Sequence, residues 1–290
     1  MQLSYTVLKE DNGKKVGTIL RERFSISSRL LNKLKMNEKI LVNQTPVFSS
    51  YLVHENDHIT VNIDFEEQDG ISKENIPLRI LWEDEYLLAV NKPAHMVVHP
   101  SSYHPNGTLA NAVKFYLNNQ RKIRPINRLD RDTSGIVLFA KNEYIQELMI
   151  QNHSLQKEYL AICINKLPEQ TGTISAPIAR EDGSIMLRKV SEEGQVAITH
   201  YDVMKYFPED NLSLVHLKLE TGRTHQIRVH MKYIGNPILG DSLYGCPSSL
   251  ISRQALHAWK LSFIHPITKK KILIETSLPE DMENIVQKFQ

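Results

Sequence analysis

Positions 125 to 135 read PINRLDRDTSG, with two arginines and two aspartates packed into positions 128 to 132, directly before the apolar run Ile136 to Ala140. An opposite charge within a few ångströms favours a carboxylate over its acid form, so an aspartate between Arg128 and Arg131 is set up to act as an anion. The Thr-Ser-Gly that follows can turn the chain sharply into a buried strand and leave that carboxylate at a rim open to substrate. Asp130 is the better candidate, because Asp132, just ahead of Thr-Ser-Gly, can simply accept hydrogen bonds from the turn. On charge pattern alone the stretch also reads as a surface salt-bridge ladder capping a strand. A second cluster, ETGRTHQIRVHM at 220 to 231, brings Arg223, His225, Arg228 and His230 together. If Thr224 opens a helix, Thr224 and Arg228 share a face and a guanidinium points toward a carboxylate or phosphate. His225 and His230 are five apart rather than four and have no acidic third ligand, so no metal is expected. In QKEYL, Lys157 and Tyr159 are two apart and face the same way on a strand. A tyrosine there is either a core residue or a flat surface on which a base can stack.

These residues need elements to hold them. The pattern predicts a helix from Val16 to Lys35, then short strands KILVN and HITVNI, as one unit over residues 1–64. Within it Arg29 and Lys33 share a helical face suited to phosphate, or to plain solvent. Residues 65–77, FEEQDGISKENIP, have the polar, Gly- and Pro-containing composition of a linker. From about 78 the sequence suggests a strand pair around RILWEDEYLLAVNK, a helix TLANAVKFYLNNQ, the strand at 136 to 140 and a helix NEYIQELMIQNH. Strands KEYLAICINK, VAITHYDVMKYF and LSLVHLKLE and a helix THQIRVHMKYIG follow. Strands outnumber helices and are joined by short turns. The expectation is an α+β fold, a mainly antiparallel mixed sheet with packed helices over residues 78–290, plus a small N-terminal α/β unit.

The bulk numbers bound the function. A chain of 290 residues that is 41% apolar buries a sizeable core. It has no apolar run long enough to span a bilayer and no signal-peptide order at its start, which points to the cytoplasm. Cys163 and Cys246 have no partners at metal-ligand spacing and read as ordinary thiols. Net charge is only +2, but residues 13 to 40 hold eight Lys/Arg against Glu22 and Glu38, the local footprint of a nucleic-acid contact. The phosphate loops G-x-G-x-x-G and G-x-x-x-x-G-K-[ST] are absent, so no nucleotide cofactor is indicated.

Taken in order, NKPAHMVVHP, PINRLDRDTSGIVLFAKN, KEYLA, ETGRTHQIRVHM, GNPILGDSLYG and RQALHAWKLSFIHPITKK resemble the successive motifs of the RluA-type pseudouridine synthases over roughly 78 to 278. The segment with Ser27-Ser28-Arg29-Leu30, a strand ending LVN and an E-N-D-x-I turn resembles the small RNA-binding domain of ribosomal protein S-four. The resemblance implies a reaction without a cofactor in which a uridine in an RNA chain is detached at nitrogen 1, turned in the site and rejoined through carbon 5. It makes Asp130 the catalytic carboxylate, as nucleophile or as base, Tyr159 the tyrosine that stacks on the base, and Arg228 the arginine paired with the aspartate. Arg128, Arg131, Lys157, Arg223, His225, Arg29 and Lys33 are the RNA-contacting candidates, on a monomer whose partner is RNA, ribosomal before transfer RNA. Where the family usually has His before R-L-D, this chain has Asn127, which hydrogen-bonds but cannot become a cation. The rival reading is a non-catalytic RNA-binding or ribosome-assembly protein with the same fold.

Overall fold

In the run His58-Ile59-Thr60-Val61-Asn62 the apolar residues alternate, and Ile59 and Val61 point together into a core while their neighbours face outward. The computed structural model describes residues 1–64, 67, 69–118 and 122–288. Phe65, Glu66 and Gln68 of the expected linker, and Asn119 and Gln120 at the end of one expected helix, lie outside them. The first elements are β1 (Gln2–Thr6), α1 (Val16–Phe24), α2 (Ser28–Met36), β2 (Ile40–Val42), β3 (Thr45–Pro46) and β4 (His58–Asn62). Their strands form an antiparallel sheet in the order β1-β4-β2-β3. The single helix expected from Val16 to Lys35 is two helices. Ser25 turns left-handed at φ 55° and ends α1, and the Ser27 hydroxyl accepts from Leu30 N at 3.1 Å and starts α2. Buried Leu20, Ile26 and Leu30 carry the apolar spacing across the break, which hides it from a periodicity reading.

The chain continues through β5 (Arg79–Glu83), β6 (Leu87–Lys92), α3 (Leu109–Leu117), β7 (Arg124–Pro125), β8 (Ser134–Ala140), α4 (Glu143–Gln151), β9 (Gln156–Ile164), β10 (Thr171–Ser175), β11 (Ile178–Arg180) and β12 (Arg188–Val190). It ends with β13 (Ile198–Phe207), β14 (Leu212–Leu219), α5 (Gln226–Tyr233), β15 (Leu256–Ile264), β16 (Lys271–Glu275) and α6 (Glu280–Lys288). A large sheet runs β10-β13-β14-β9-β15-β8-β6-β5, with β16 on β15 and β7 on β8, while β11 and β12 form a separate hairpin. Among the described residues β8 and β15 pair in parallel and the other neighbours antiparallel. The fold is the expected α+β arrangement. Strands β1, β3, β7, β10, β11, β12, β15 and β16 and helix α6 were not anticipated.

β8 shows why its sequence is an unbroken apolar run. Ile136, Leu138 and Ala140 pack with Tyr144 and Ile145 of α4 on one face, and Val137 and Phe139 pack with Leu109 and Val113 of α3 on the other. A strand covered on both faces has no polar side to alternate with. The N-terminal unit docks on α4. Tyr144 Oη donates to Phe24 O at 2.9 Å, Ser27 Oγ to Glu147 at 2.6 Å, and Lys33 pairs with Glu143 and, at 2.9 Å, with Glu67. Arg29 and Lys33 do share a face, but it is turned onto Glu143. Lys33 is thereby engaged within the protein, whereas Arg29 stays 73% exposed, 3.6 Å from the same carboxylate.

Candidate active site

Asp130 lies between β7 and β8. Thr133 N donates to Asp130 O at 3.2 Å, so the chain reverses over 130 to 133, and Ser134 and Gly135 already belong to β8. Gly135 serves the sheet rather than the turn. At φ 114° its missing Cβ would stand 2.2 Å from Ala258 O, where β8 and β15 converge. Asp132 does not accept turn hydrogen bonds from Thr-Ser-Gly. Its carboxylate takes Arg131 Nε at 2.9 Å and lies 3.0 Å from His95 Nδ1, because its side chain points out beside the exposed Arg131 guanidinium.

Helix α5 begins at Gln226, not Thr224, and His225 before it is left-handed at φ 57°. The expected shared face of Thr224 and Arg228 therefore does not exist. Gln226 governs the start instead, since its side-chain Oε1 accepts from Arg223 N at 2.9 Å and Thr221 Oγ1 at 2.8 Å, folding the Thr-Gly-Arg-Thr loop back over the helix end. Arg228, in the first turn, is held in a fork. Its Nε and Nη2 donate to Asp241 at 2.7 and 2.8 Å, and its Nη1 donates to Asp130 Oδ2 at 3.0 Å. Burial works against the Arg228 charge, yet Asp241 and then Asp130 outweigh it and raise its pKa. The guanidinium also lies 5.1 Å from the centre of the Tyr244 ring. His225 Nε2 is 3.9 Å from Asp130, and its Nδ1 is 2.8 Å from Tyr244 Oη. Burial pushes His225 below its usual pKa, with Asp130 opposing, which favours the neutral ring.

A cleft of about 580 Å³ opens over Asp130 and is lined by Arg128, Lys157, Tyr159, Arg223, His225 and Arg228, among others. That volume suits one extruded nucleotide. Tyr159 and Lys157 share a face of β9, as their spacing requires. Burial, with the Asp130 charge beside it, pushes the Tyr159 phenol up, so it stays neutral at physiological pH. Burial lowers the pKa of Lys157. Arg131 lies outside this cleft, on an adjoining depression with His95 and His104. Among the described residues no group of three His, Cys, Asp or Glu is placed to hold a metal ion.

The family model described as RNA pseudouridylate synthase matches residues 86–233, which contain Asp130, Tyr159 and Arg228. The chain belongs to the RNA pseudouridine synthases. Within them it is of the RluA/RluD type, for a second model, the N-terminal domain of RluD ribosomal pseudouridine synthase, matches residues 3–59. This pseudouridine synthase is an isomerase. It is 37% identical to the uncharacterized RNA pseudouridine synthase YhcT of Bacillus subtilis, over 99% of this chain and 97% of that protein. It is 32% identical to ribosomal large subunit pseudouridine synthase D of Escherichia coli, over 99% and 94%. The solved structure of human RNA pseudouridylate synthase domain containing 1 shares the fold, with a TM-score of 0.57 at 24% identity over 78% of this chain and 97% of that one. Sequence reading of the synthase missed three residues around the cleft. Asp241, in GDSLYG, is fully buried and fixes Arg228. Lys92, in NKPAH, donates to Pro93 O, Met96 O and Arg131 O at 2.8, 2.8 and 2.9 Å, while burial brings its pKa down to about 7. Tyr244 holds His225. Only the buried-charge pattern of a lone Asp before Ser-Leu-Tyr-Gly offered a signal, and it is one that many surface turns also give.

Proposed function

We propose that this pseudouridine synthase acts on uridine in ribosomal RNA, in the cytoplasm and as a monomer, with residues 1–64 helping to hold folded RNA, 65–77 as linker and 78–290 carrying the chemistry. Asp130 is the catalytic carboxylate. It attacks the nucleoside or removes a sugar proton, the bond from the sugar to nitrogen 1 breaks, and the base turns and rejoins through carbon 5, which loses its proton. The observation that carries this is the Asp130–Arg228–Asp241 fork at the floor of a cleft the size of one nucleotide. Arg228 holds the carboxylate in one orientation while Asp241 holds Arg228. Tyr159, kept neutral, offers its ring to the extruded base. Extrusion costs about a few kcal/mol, and stacking plus backbone contacts offset it. Arg128, Lys157, Arg223 and His225 face the cleft and meet the RNA there, Arg131 meets it at the adjoining depression, and Arg29 meets it on the N-terminal unit. Lys33 is left out of that set because Glu143 holds it.

The choice of ribosomal RNA rests on the N-terminal match and on relatives named as ribosomal large subunit synthases. Chemical mapping of pseudouridine in total RNA from cells with and without the gene tests it. The expected result is loss of at least one pseudouridine from ribosomal RNA. Loss from transfer RNA alone would overturn it.

A further inference from the structure

Strand β8 has a gap along one edge. On its other side β6 pairs with it from Gly135 to Ala140. On the open side β15 reaches only Ser134 and Gly135, and β7 only Phe139 and Ala140. Between them the backbone groups of Ile136 and Leu138 have no strand to pair with, and buried backbone groups need partners. Ile126 N supplies one, donating to Leu138 O at 2.7 Å. Asn127 supplies two, since its Oδ1 accepts from Leu138 N at 2.8 Å and its Nδ2 donates to Ile136 O at 3.0 Å. The buried side-chain amide thus completes the sheet edge as a peptide group of a neighbouring strand would.

Asp130 follows three residues later. The far half of its loop has separate anchors, with Lys92 Nζ on Arg131 O at 2.9 Å and Arg253 Nη1 on Asp132 O at 3.1 Å. The near half has Ile126 and Asn127. We propose that Asn127 is a positioning residue of the isomerisation: it pins the near half of the loop to β8, so that the Asp130 carboxylate meets Arg228 and the substrate in one place. This explains a position where the family resemblance leads one to expect histidine. The task there is a paired donor and acceptor, which an amide provides and a neutral imidazole also provides, and it needs no cation.

The proposal rests on Asp130 being the catalytic carboxylate, so Asp130→Asn is measured beside it. The substrate is unmodified ribosomal RNA transcript carrying tritium at uridine carbon 5, with release rates for turnover and filter binding for affinity. Asn127→Ala is expected to lower kcat roughly 30- to 100-fold, the scale of a displacement of about 1 Å at a reacting group, while KM and RNA affinity stay within about twofold. Asn127→His, one donor and one acceptor, is expected to recover most of that loss. If Asn127→Ala does not fold, the isosteric Asn127→Asp, which keeps the acceptor for Leu138 and turns a second acceptor toward Ile136 O in place of the donor, gives the same reading with a fall in kcat at least as large. A folded Asn127→Ala or Asn127→Asp with kcat unchanged, or a loss confined to KM, overturns the proposal. An active Asp130→Asn instead overturns the reading beneath it.

Discussion

Replacing Asp241 with asparagine keeps its shape and removes its charge from a buried pair. The carboxylate is fully buried and accepts from Arg228 Nε at 2.7 Å, Arg228 Nη2 at 2.8 Å, Leu243 N at 3.0 Å and Tyr244 N at 3.1 Å. An amide has one acceptor oxygen, and its NH₂ would face another donor. Removing one member of a buried ion pair costs about 3–5 kcal/mol. Arg228 keeps Asp130, so the low end applies, and at about 2–4 °C per kcal/mol for a domain of this size the melting temperature should fall by about 6–12 °C. The guanidinium would also lose the fork that aims it, and kcat should drop on the order of 100-fold with RNA affinity retained. Asp130→Asn is the control. Its side chain is 27% exposed and holds one 3.0 Å hydrogen bond from Arg228, so it should cost about 1 kcal/mol or less while activity disappears. Thermal melts and tritium release on both variants decide the matter. Asp241→Asn with wild-type melting temperature and turnover would refute the fork, as would equal destabilisation by the two substitutions.

Lys157→Ala should weaken RNA binding by about tenfold and reduce the slope of log affinity against log salt by about 0.7–0.9, with kcat at saturation little changed; an unaltered slope contradicts a phosphate contact. Burial depresses the His257 pKa from the ordinary 6.5 to about 4. The unfolded chain therefore binds the extra proton first, and stability, full above about pH 6.5, should fall by about 3 kcal/mol on the way down to pH 4. His257→Gln should flatten that part of the pH–stability curve, and parallel curves would speak against it. Glu143 joins Lys33 of the N-terminal unit to Arg124 just before the Asp130 loop. Glu143→Ala leaves both cations to Glu67 alone and should cost about 2 kcal/mol and open the chain between the two sheets to limited proteolysis; an unchanged digest would show that the docking does not depend on this cluster.

Alternating and continuous apolar runs were enough to expose the strands β4, β6, β8, β9, β13 and β14 and the α+β class, because those strands face one core or two. The motifs exposed the family. What stayed hidden has physical reasons. The break between α1 and α2 is made by Ser25 and Ser27 without interrupting the apolar spacing. β15 carries Trp259 and Lys260 at a register shift, which spoils its alternation. The pairing of Arg228 with Asp130 was legible from the motif resemblance but not from the charge pattern: Arg128 and Arg131 neighbour Asp130 in sequence, yet the chain reversal turns Arg131 to Asp132, and the guanidinium on Asp130 comes from 98 residues away. A charge pattern reports neighbours along the chain, whereas a site is assembled across it. Lys33 shows the same limit in reverse: helical spacing located its face, but only the docking of α2 on α4 reveals that the face is occupied.

The most direct test of the account is the Asp130→Asn protein at saturating, unmodified ribosomal RNA tritiated at uridine carbon 5. No tritium release above background is expected, with RNA affinity within about twofold of the unsubstituted enzyme. Release at a comparable rate would contradict it.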